Sequence, residues 1–379
     1  MSSPNVSSHL SFSGKVNLGS FYTPAKYVEC VAEWLKAIGV DSHWVIADLS
    51  CGYGAFFELS AVAPFSQCTF IGNDVDKEAI REAGKMFPNV RFYESNSLAD
   101  VSREKFGISP GAKLVIVGNP PYNDVTSQIN QHIKKGDLDI DWDIRTRDLG
   151  LSSLLAYNKI SAEYAAVLHP LSYLIKRANF SAGSRFFSNY RLLKHIVFSS
   201  QEFAGTSRMS AFPVIVALYE RVKGWQRGLT YQDVLNIKFK TVEGDSFSVG
   251  GFDYVADEVK KYPHNGRYDP EILFYTMRDI NALKRSRTFI KDRIPNAVDI
   301  DPRKFSYYCY IDCFKRYAKI PYWIGNLNVP YIKDKFCDIE KLVIRDSKYY
   351  HQDIFGSSNP ISDSEKKAIV DYVDRVFSK

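Results

Sequence analysis

Short apolar runs alternate with segments of helical spacing from about Phe21 to Glu220. Apolar positions recur at helical spacing between Tyr27 and Ile38, which predicts an amphipathic helix. Trp44 to Leu49 predicts a strand ending at a glycine-containing turn, and Thr69 to Asp74 predicts a second. A polar helix is expected over Lys77–Met86, a third strand over Val90–Tyr93 and a fourth over Lys113–Gly118. Ala165–Leu168 and Pro213–Tyr219 supply later strands. Buried apolar runs with helices between them predict an α/β fold whose sheet is parallel and built from βαβ units.

The pattern changes near Lys223-Gly224-Trp225-Gln226-Arg227-Gly228. Beyond it the chain is irregular and more aromatic, with Gly and Pro turns and mixed charge. An amphipathic helix is expected near Ser364–Phe377. The expected division is a flexible arm over 1–20, a first domain over 21–224 and a second over 225–379, as a chain of 379 residues suits two domains. Met1 to Ser20 is rich in Ser and Asn and has no apolar core of a signal peptide. No uninterrupted apolar stretch approaches the length of a membrane span. A cytoplasmic protein without a membrane partner is expected.

Composition narrows the chemistry. Hydrophobic residues make up 45% and charged residues 24%, as in globular proteins. The formal charge of +6 permits a polyanionic partner without demanding one. Aromatic residues reach 14%, with 24 Tyr and 25 Phe; most belong to the core, and a few are available to stack on bases. The six cysteines are scattered, which suits a reducing compartment. Cys309, Cys313 and Cys337 have no fourth ligand close by, so no metal site is expected. Cys309 and Cys313, set among Tyr and Phe, are expected in a buried strand. No Cys follows a Pro, which removes the Pro-Cys nucleophile that attack on cytosine C5 requires.

Asp48-Leu49-Ser50-Cys51-Gly52-Tyr53-Gly54 sits where a strand ends and a helix is expected to begin. Gly52 and Gly54 allow a tight turn and a close approach of backbone to ligand. There is no third glycine at dinucleotide spacing and no Gly-Lys-Ser/Thr, so neither a nicotinamide site nor a P-loop fits. About 20 residues on, at the tip of the next strand, Asp74 can accept from both hydroxyls of a ribose. Asp76 lies past the strand end and is expected to cap the helix at Lys77. Asn96, after the third strand, can meet an adenine amino group through its side-chain oxygen or serve a turn.

Asn119-Pro120-Pro121-Tyr122 follows the fourth strand directly. Exocyclic amines of bases are poor nucleophiles, because the nitrogen lone pair is delocalised into the ring. Two acceptors aimed at the two amino protons favour pyramidal nitrogen and localise that pair. The Asn119 side-chain oxygen and the Pro120 carbonyl are suited to this. Consecutive prolines restrict φ and hold the loop rigid, and Tyr122 offers a ring face to the target base. Direct displacement of a methyl group from a sulfonium then needs positioning rather than a covalent enzyme intermediate.

The order Phe21-Tyr22-Thr23-Pro24, Asp48-to-Gly54, Asp74, Asn96, Asn119-to-Tyr122 resembles the gamma-class amino-methyltransferases of restriction–modification systems. The resemblance covers about the first 220 residues. It implies a Rossmann-like class I methyltransferase sheet and a C-terminal mixed α+β target-recognition domain. It also implies S-adenosyl-L-methionine as cofactor, with Tyr22, Thr23 and Pro24 closing over its methionine part beside Asp48, Gly52, Gly54, Asp74 and Asn96. His169-Pro170-Leu171-Ser172 is similar to the family's later strand-end motif, and Phe212 or Phe203 to the aromatic beside the flipped base. The family usually has Asp where this chain has Asn96. An Asn at the head of the tetrapeptide implies methylation of adenine N6.

In the C-terminal half Lys284-Arg285-Ser286-Arg287, Lys291, Arg293, Arg303-Lys304 and Lys315-Arg316 recur among aromatic residues. Lys284, Arg285 and Arg287 are expected to touch DNA, since basic groups suit phosphates and Arg also reads guanine. The alternative is a solvated charged face diluted by Asp292, Asp299 and Asp301. The expected partner is double-stranded DNA gripped between the domains, with a restriction endonuclease encoded separately. The rival acceptors are an RNA base and a protein glutamine amide, which pose the same nucleophile problem. A non-catalytic DNA-binding specificity module is the non-enzymatic rival.

Overall fold

The computed structural model describes residues 23–122, 139–203, 211–259, 272–275, 279–294, 297–357 and 359–377. The chain divides into two compact units, Met1–Met209 with Pro213–Ser248, and Ser210–Phe212 with Val249–Lys379.

The first unit carries a seven-stranded sheet. Its strands are β1 (Trp44–Asp48), β2 (Thr69–Asp74), β3 (Arg91–Glu94), β4 (Lys113–Gly118), β5 (Tyr164–Pro170), β6 (Tyr190–Ser199) and β7 (Pro213–Arg221). Their spatial order is β3-β2-β1-β4-β5-β7-β6. Every pairing from β3 to β5 is parallel, while β7 runs against both β5 and β6. This is the expected α/β architecture, a Rossmann-like sheet of the class I methyltransferase type. Residues Leu114 to Val117, Ala165 to Leu168 and Val214 to Tyr219 are fully buried. Strands covered on both faces must be apolar throughout, and that is why these runs read so plainly.

Helix α1 (Ala25–Ala37) starts directly after Pro24, which sits in extended geometry at its N-cap. Helix α2 (Lys77–Met86) is capped by Asp76, whose carboxylate accepts from the Glu78 and Ala79 amides at 3.0 and 3.2 Å. The helix expected after Gly54 is a 3₁₀ helix, Ala55–Ala61. Helix α3 (Leu149–Lys159) has no sequence-based expectation behind it. It is buried on all sides from Leu149 to Tyr157, so no polar face marks its period. Strand β6 was equally hard to read: it is the sheet's edge and carries exposed Arg191 and Lys194.

The first unit extends past residue 224. The Leu229 amide donates to the Tyr190 carbonyl and the Val242 amide to Val197, both at 2.9 Å, tying this stretch to β6.

The second unit is mixed α+β. It holds the antiparallel strands β9 (Leu273–Tyr275), β10 (Phe289–Ile290) and β11 (Ala297–Asp299), and the pair β8 (Asp253–Tyr254) with β12 (Pro330–Tyr331). Helices α4 (Ile280–Arg285), α5 (Phe305–Tyr317), α6 (Glu340–Tyr350) and α7 (Asp363–Val376) accompany them. Cys309 and Cys313 lie one turn apart on α5, not in a strand. Both are fully buried, and packing of the aromatic face overrides the weak helix propensity of Tyr, Phe and Cys. Among the described residues no group of His, Cys, Asp and Glu is arranged to hold a metal. No helix among them is long and apolar enough to cross a membrane.

Candidate functional site

Strand β1 is flanked by β2 on one side and β4 on the other, so the connections leaving β1 and β4 part at their carboxyl ends. Ligands of open α/β sheets bind in the crevice that such a switch point opens. The Asp48-to-Gly54 turn and the Asn119-to-Tyr122 loop flank this point. Gly52 and Gly54 both adopt left-handed backbone, at φ +50° and +84°. Around Gly52 a Cβ would meet open space, whereas at Gly54 it would lie 2.8 Å from the Phe57 ring. One glycine keeps the surface bare and the other permits packing beneath it.

The carboxylate of Asp74 holds this turn in place. Its Oδ2 accepts the Gly52 amide at 2.7 Å and its Oδ1 accepts the Asp76 amide at 2.9 Å. Each oxygen keeps a lone pair, and the residue is half-exposed at the strand end. Burial raises the Asp74 carboxyl above the ordinary range, against the pull of the amides of Asp76 and Gly52. Asp48 is more deeply buried and accepts the Ser50 amide at 3.1 Å. Burial pushes its carboxyl up to about 8, with the Ser50 amide opposing and the negative charge of Asp74 adding to the rise. Gly118 ends β4 beside it; a Cβ there would stand 2.9 Å from the Asp48 Oδ1.

Asn119 is oriented from two sides. Its Nδ2 donates to the hydroxyl of buried Thr23 at 3.3 Å, and its Oδ1 accepts from the Tyr122 hydroxyl. The amide nitrogen is thus turned toward Thr23 and the oxygen toward the tetrapeptide's own ring. Pro120 is buried, and Pro121 and Tyr122 are half-buried. Burial holds the Tyr122 phenol well above its ordinary value, with Tyr157 and Asp148 adding to the effect, so the ring stays neutral.

Behind this loop stands a polar wall, of which the sequence singled out only His169. Asp148 caps α3, accepting the amides of Gly150 and Leu151 at 2.9 and 3.3 Å, and also takes the Tyr173 hydroxyl. Tyr173 stacks on His169 at 5.3 Å. The Nδ1 of His169 faces the Pro170 carbonyl at 2.9 Å, and its Nε2 the Tyr219 hydroxyl at 2.8 Å. A carbonyl only accepts, so the proton sits on Nδ1 and Nε2 takes the phenol's hydrogen. Burial presses the imidazole down to about 4 and keeps it neutral. Burial raises the Tyr157 phenol well above its ordinary value, the negative charge of Asp48 adding to the rise and the Ser50 side chain opposing it. These residues lie far apart in the chain; besides the motif that begins at His169, only an Asp just before an apolar run, at 148, carries a local signal.

The remaining expected residues are placed as follows. The Asn96 Oδ1 accepts the Leu98 amide at 3.0 Å, and its Nδ2 donates to the Asp139 carbonyl, so the turn role is filled. Phe203 is buried in the core with its ring 5.5 Å from Phe198. Phe212 is half-buried and belongs to the second unit. Lys284 and Arg285 end α4, and Arg287 follows it; all three are exposed. Tyr22 lies outside the described residues.

No protein-family model matches the chain. No curated protein matches it either. Solved structures do. A Vibrio vulnificus chain described as a modification subunit of a type I restriction enzyme is 15% identical over 61% of this chain and 59% of its own, with a TM-score of 0.41. A type I restriction–modification methyltransferase subunit from Streptococcus thermophilus is 14% identical over 57% and 52%, with a TM-score of 0.38. A TehB-like S-adenosylmethionine-dependent methyltransferase from Corynebacterium glutamicum is 16% identical over 53% and 100%, at 0.30. The chain thus spans little more than half the length of the two restriction–modification subunits. Strand order and register, not these likenesses, define the fold.

Proposed function

We propose that the chain is a site-specific DNA methyltransferase that transfers a methyl group from S-adenosyl-L-methionine to the N6 amino group of adenine. The observation that carries this reading is the placement of Asn119-Pro120-Pro121-Tyr122 at the carboxyl end of β4, across the switch point from the glycine turn.

The residues around the glycine turn suit the cofactor. A Cβ at Gly52 would meet nothing, so the backbone there can lie against a ligand. Asp74 retains lone pairs for ribose hydroxyls. When bound, the cofactor supplies an electrophilic methyl group on a sulfonium. Thr23 touches Asn119, and Pro24 caps α1 directly after it.

On the acceptor side, the Asn119 Oδ1 and the Pro120 carbonyl receive the two amino protons of adenine. Tyr122 stacks on the base, which has left the duplex at a cost of a few kcal/mol. The incoming amine replaces the Tyr122 hydroxyl as the donor to Asn119. The amine's extra proton passes to solvent after transfer, since neutral His169 has both nitrogens engaged. In the second unit, Lys284, Arg285 and Arg287 contact DNA phosphates.

The test offers labelled cofactor with duplex DNA, ribosomal RNA and release factor separately. Methyl incorporation into DNA adenine is expected, and its loss in Asn119→Ala and Tyr122→Ala with cofactor binding retained. Incorporation into RNA or protein alone, or full activity in both variants, overturns the reading.

A further inference from the structure

The second unit contains a cleft of about 490 Å³ that the methyl-transfer chemistry does not use. Its floor is a saturated ionic network. Arg316 donates to Asp312 at 2.8 Å and to Asp346 at 2.7 Å. Asp312 also takes the Thr288 hydroxyl at 2.5 Å, the His351 Nε2 at 2.8 Å and the Ser347 hydroxyl at 2.9 Å. These buried charges are spent on each other and are rigid for that reason.

Three further cations line the cleft with no carboxylate partner. Arg287 is exposed and has no hydrogen bond or ion pair among the described residues. Lys291 donates to the Asp353 backbone carbonyl at 2.7 Å, and Lys315 to that of Ser286. Carbonyls leave an ammonium its charge and two of its three protons. Other cations of this unit are neutralised: Arg293 by Asp299, Arg303 by Asp301, Arg345 by Glu365. The carboxylates of Asp292 and Asp353 also line the cleft, so its excess of positive charge is small. A bare anion gains little there, and a ligand needs a second attachment.

Tyr350 provides one. Its ring lies 4.3 Å from the Arg316 guanidinium, which the two aspartates hold still, and the residue is 60% exposed. A ring fixed on one face and open on the other is a stacking platform.

We propose that this cleft is a nucleotide-phosphate site, in which Arg287, Lys291 and Lys315 hold a phosphate and Tyr350 stacks on the attached base. The site extends the contact assigned above to Arg287, yet it rests on the cleft alone and not on methyl transfer. The phosphate comes either from a nucleic-acid strand or from a free nucleotide.

Calorimetric titration of the full chain with deoxyadenosine 5′-monophosphate, inorganic phosphate and a short single-stranded DNA separates these cases. Saturable binding of the nucleotide is expected, tighter than that of phosphate. Arg287→Ala combined with Lys291→Ala should weaken both at least tenfold. Tyr350→Ala should bring the nucleotide down to the level of phosphate, and Arg345→Ala should change neither. Melting curves confirm that the variants are folded. Tighter binding of the oligonucleotide, in competition with the nucleotide, assigns the phosphate to a strand; tighter binding of the nucleotide assigns it to a free ligand. Absence of saturable binding by all three probes, or binding indifferent to the double variant, overturns the proposal, whatever the outcome of the methylation assay.

Discussion

Asp48→Asn tests the electrostatics of the switch point without touching the tetrapeptide. Asp48 is 3% exposed, and its carboxyl is raised from 3.8 to about 8, chiefly by burial. A raised carboxyl binds more protons folded than unfolded, so its contribution to stability is lost as pH climbs from the unfolded value through the folded one. One pH unit across that window corresponds to about 1.4 kcal/mol, so Asp48 alone should remove roughly 4 kcal/mol between about pH 5 and pH 8. Asn is nearly isosteric and still accepts the Ser50 amide, but it has no charge to desolvate. Taking the difference between variant and parent cancels the titrating groups that do not interact with Asp48, and Asp74, which does, contributes less than burial. The two units need not unfold together, so hydrogen exchange of the β1 amides is the suitable measure. The variant should match the parent near pH 5 and exceed it progressively toward pH 8. A stability difference that is constant across this range would refute the reasoning.

Thr23→Val removes the partner of the Asn119 Nδ2 while keeping the side chain's volume. One neutral hydrogen bond is worth about 1 kcal/mol, so kcat at saturating cofactor should fall roughly fivefold. In Gly150→Ala the new Cβ would lie 2.4 Å from the Tyr173 hydroxyl, which must leave Asp148. Overpacking of this kind costs about 1–3 kcal/mol, measurable as a lowered thermal midpoint. Arg316→Met strands the buried carboxylates of Asp312 and Asp346, and loss of one partner from such a network costs about 3–5 kcal/mol in chemical denaturation. Adding Asp312→Asn to Arg316→Met should recover part of that loss.

What was legible in the sequence follows from where each element sits. The central strands are covered on both faces, and Val115-Ile116-Val117 and Val214-Ile215-Val216 therefore have one interpretation. Asp76 declared itself as a cap because it stands one residue before a polar helix. Edge strand β6 mixes Arg191, Lys194 and His195 with apolar residues, since half of it meets solvent. Helix α3 has no polar face to set its period, and α5 disguises a helical seam, Cys309 and Cys313, among aromatic residues that favour strands. The chemistry-bearing tetrapeptide was visible because its four residues are contiguous. Thr23 was visible as part of the Tyr22-Thr23-Pro24 element, but not its contact with Asn119, which spans 96 positions.

That bracing explains why a loop rather than a helix or strand can carry the acceptors. Prolines at 120 and 121 restrict the backbone, but they do nothing for the Asn119 side chain, which has two rotatable bonds of its own. Thr23 and Tyr122 engage the two ends of the amide and hold its plane, with Nδ2 toward Thr23 and Oδ1 toward the tetrapeptide. Tyr122 then satisfies that oxygen with its own hydroxyl. Exchange of this hydroxyl for a substrate amine replaces one neutral hydrogen bond by another, so the acceptor need not be desolvated afresh when a base arrives. The ring itself stands among groups that cannot easily move: Asp148 is tied to the start of α3, and Tyr173 is fixed between it and a neutral His169. Under the proposed function, an adenine entering this space would meet an oxygen and a ring already positioned, which is the condition under which orientation supplies much of a methyl transfer's rate.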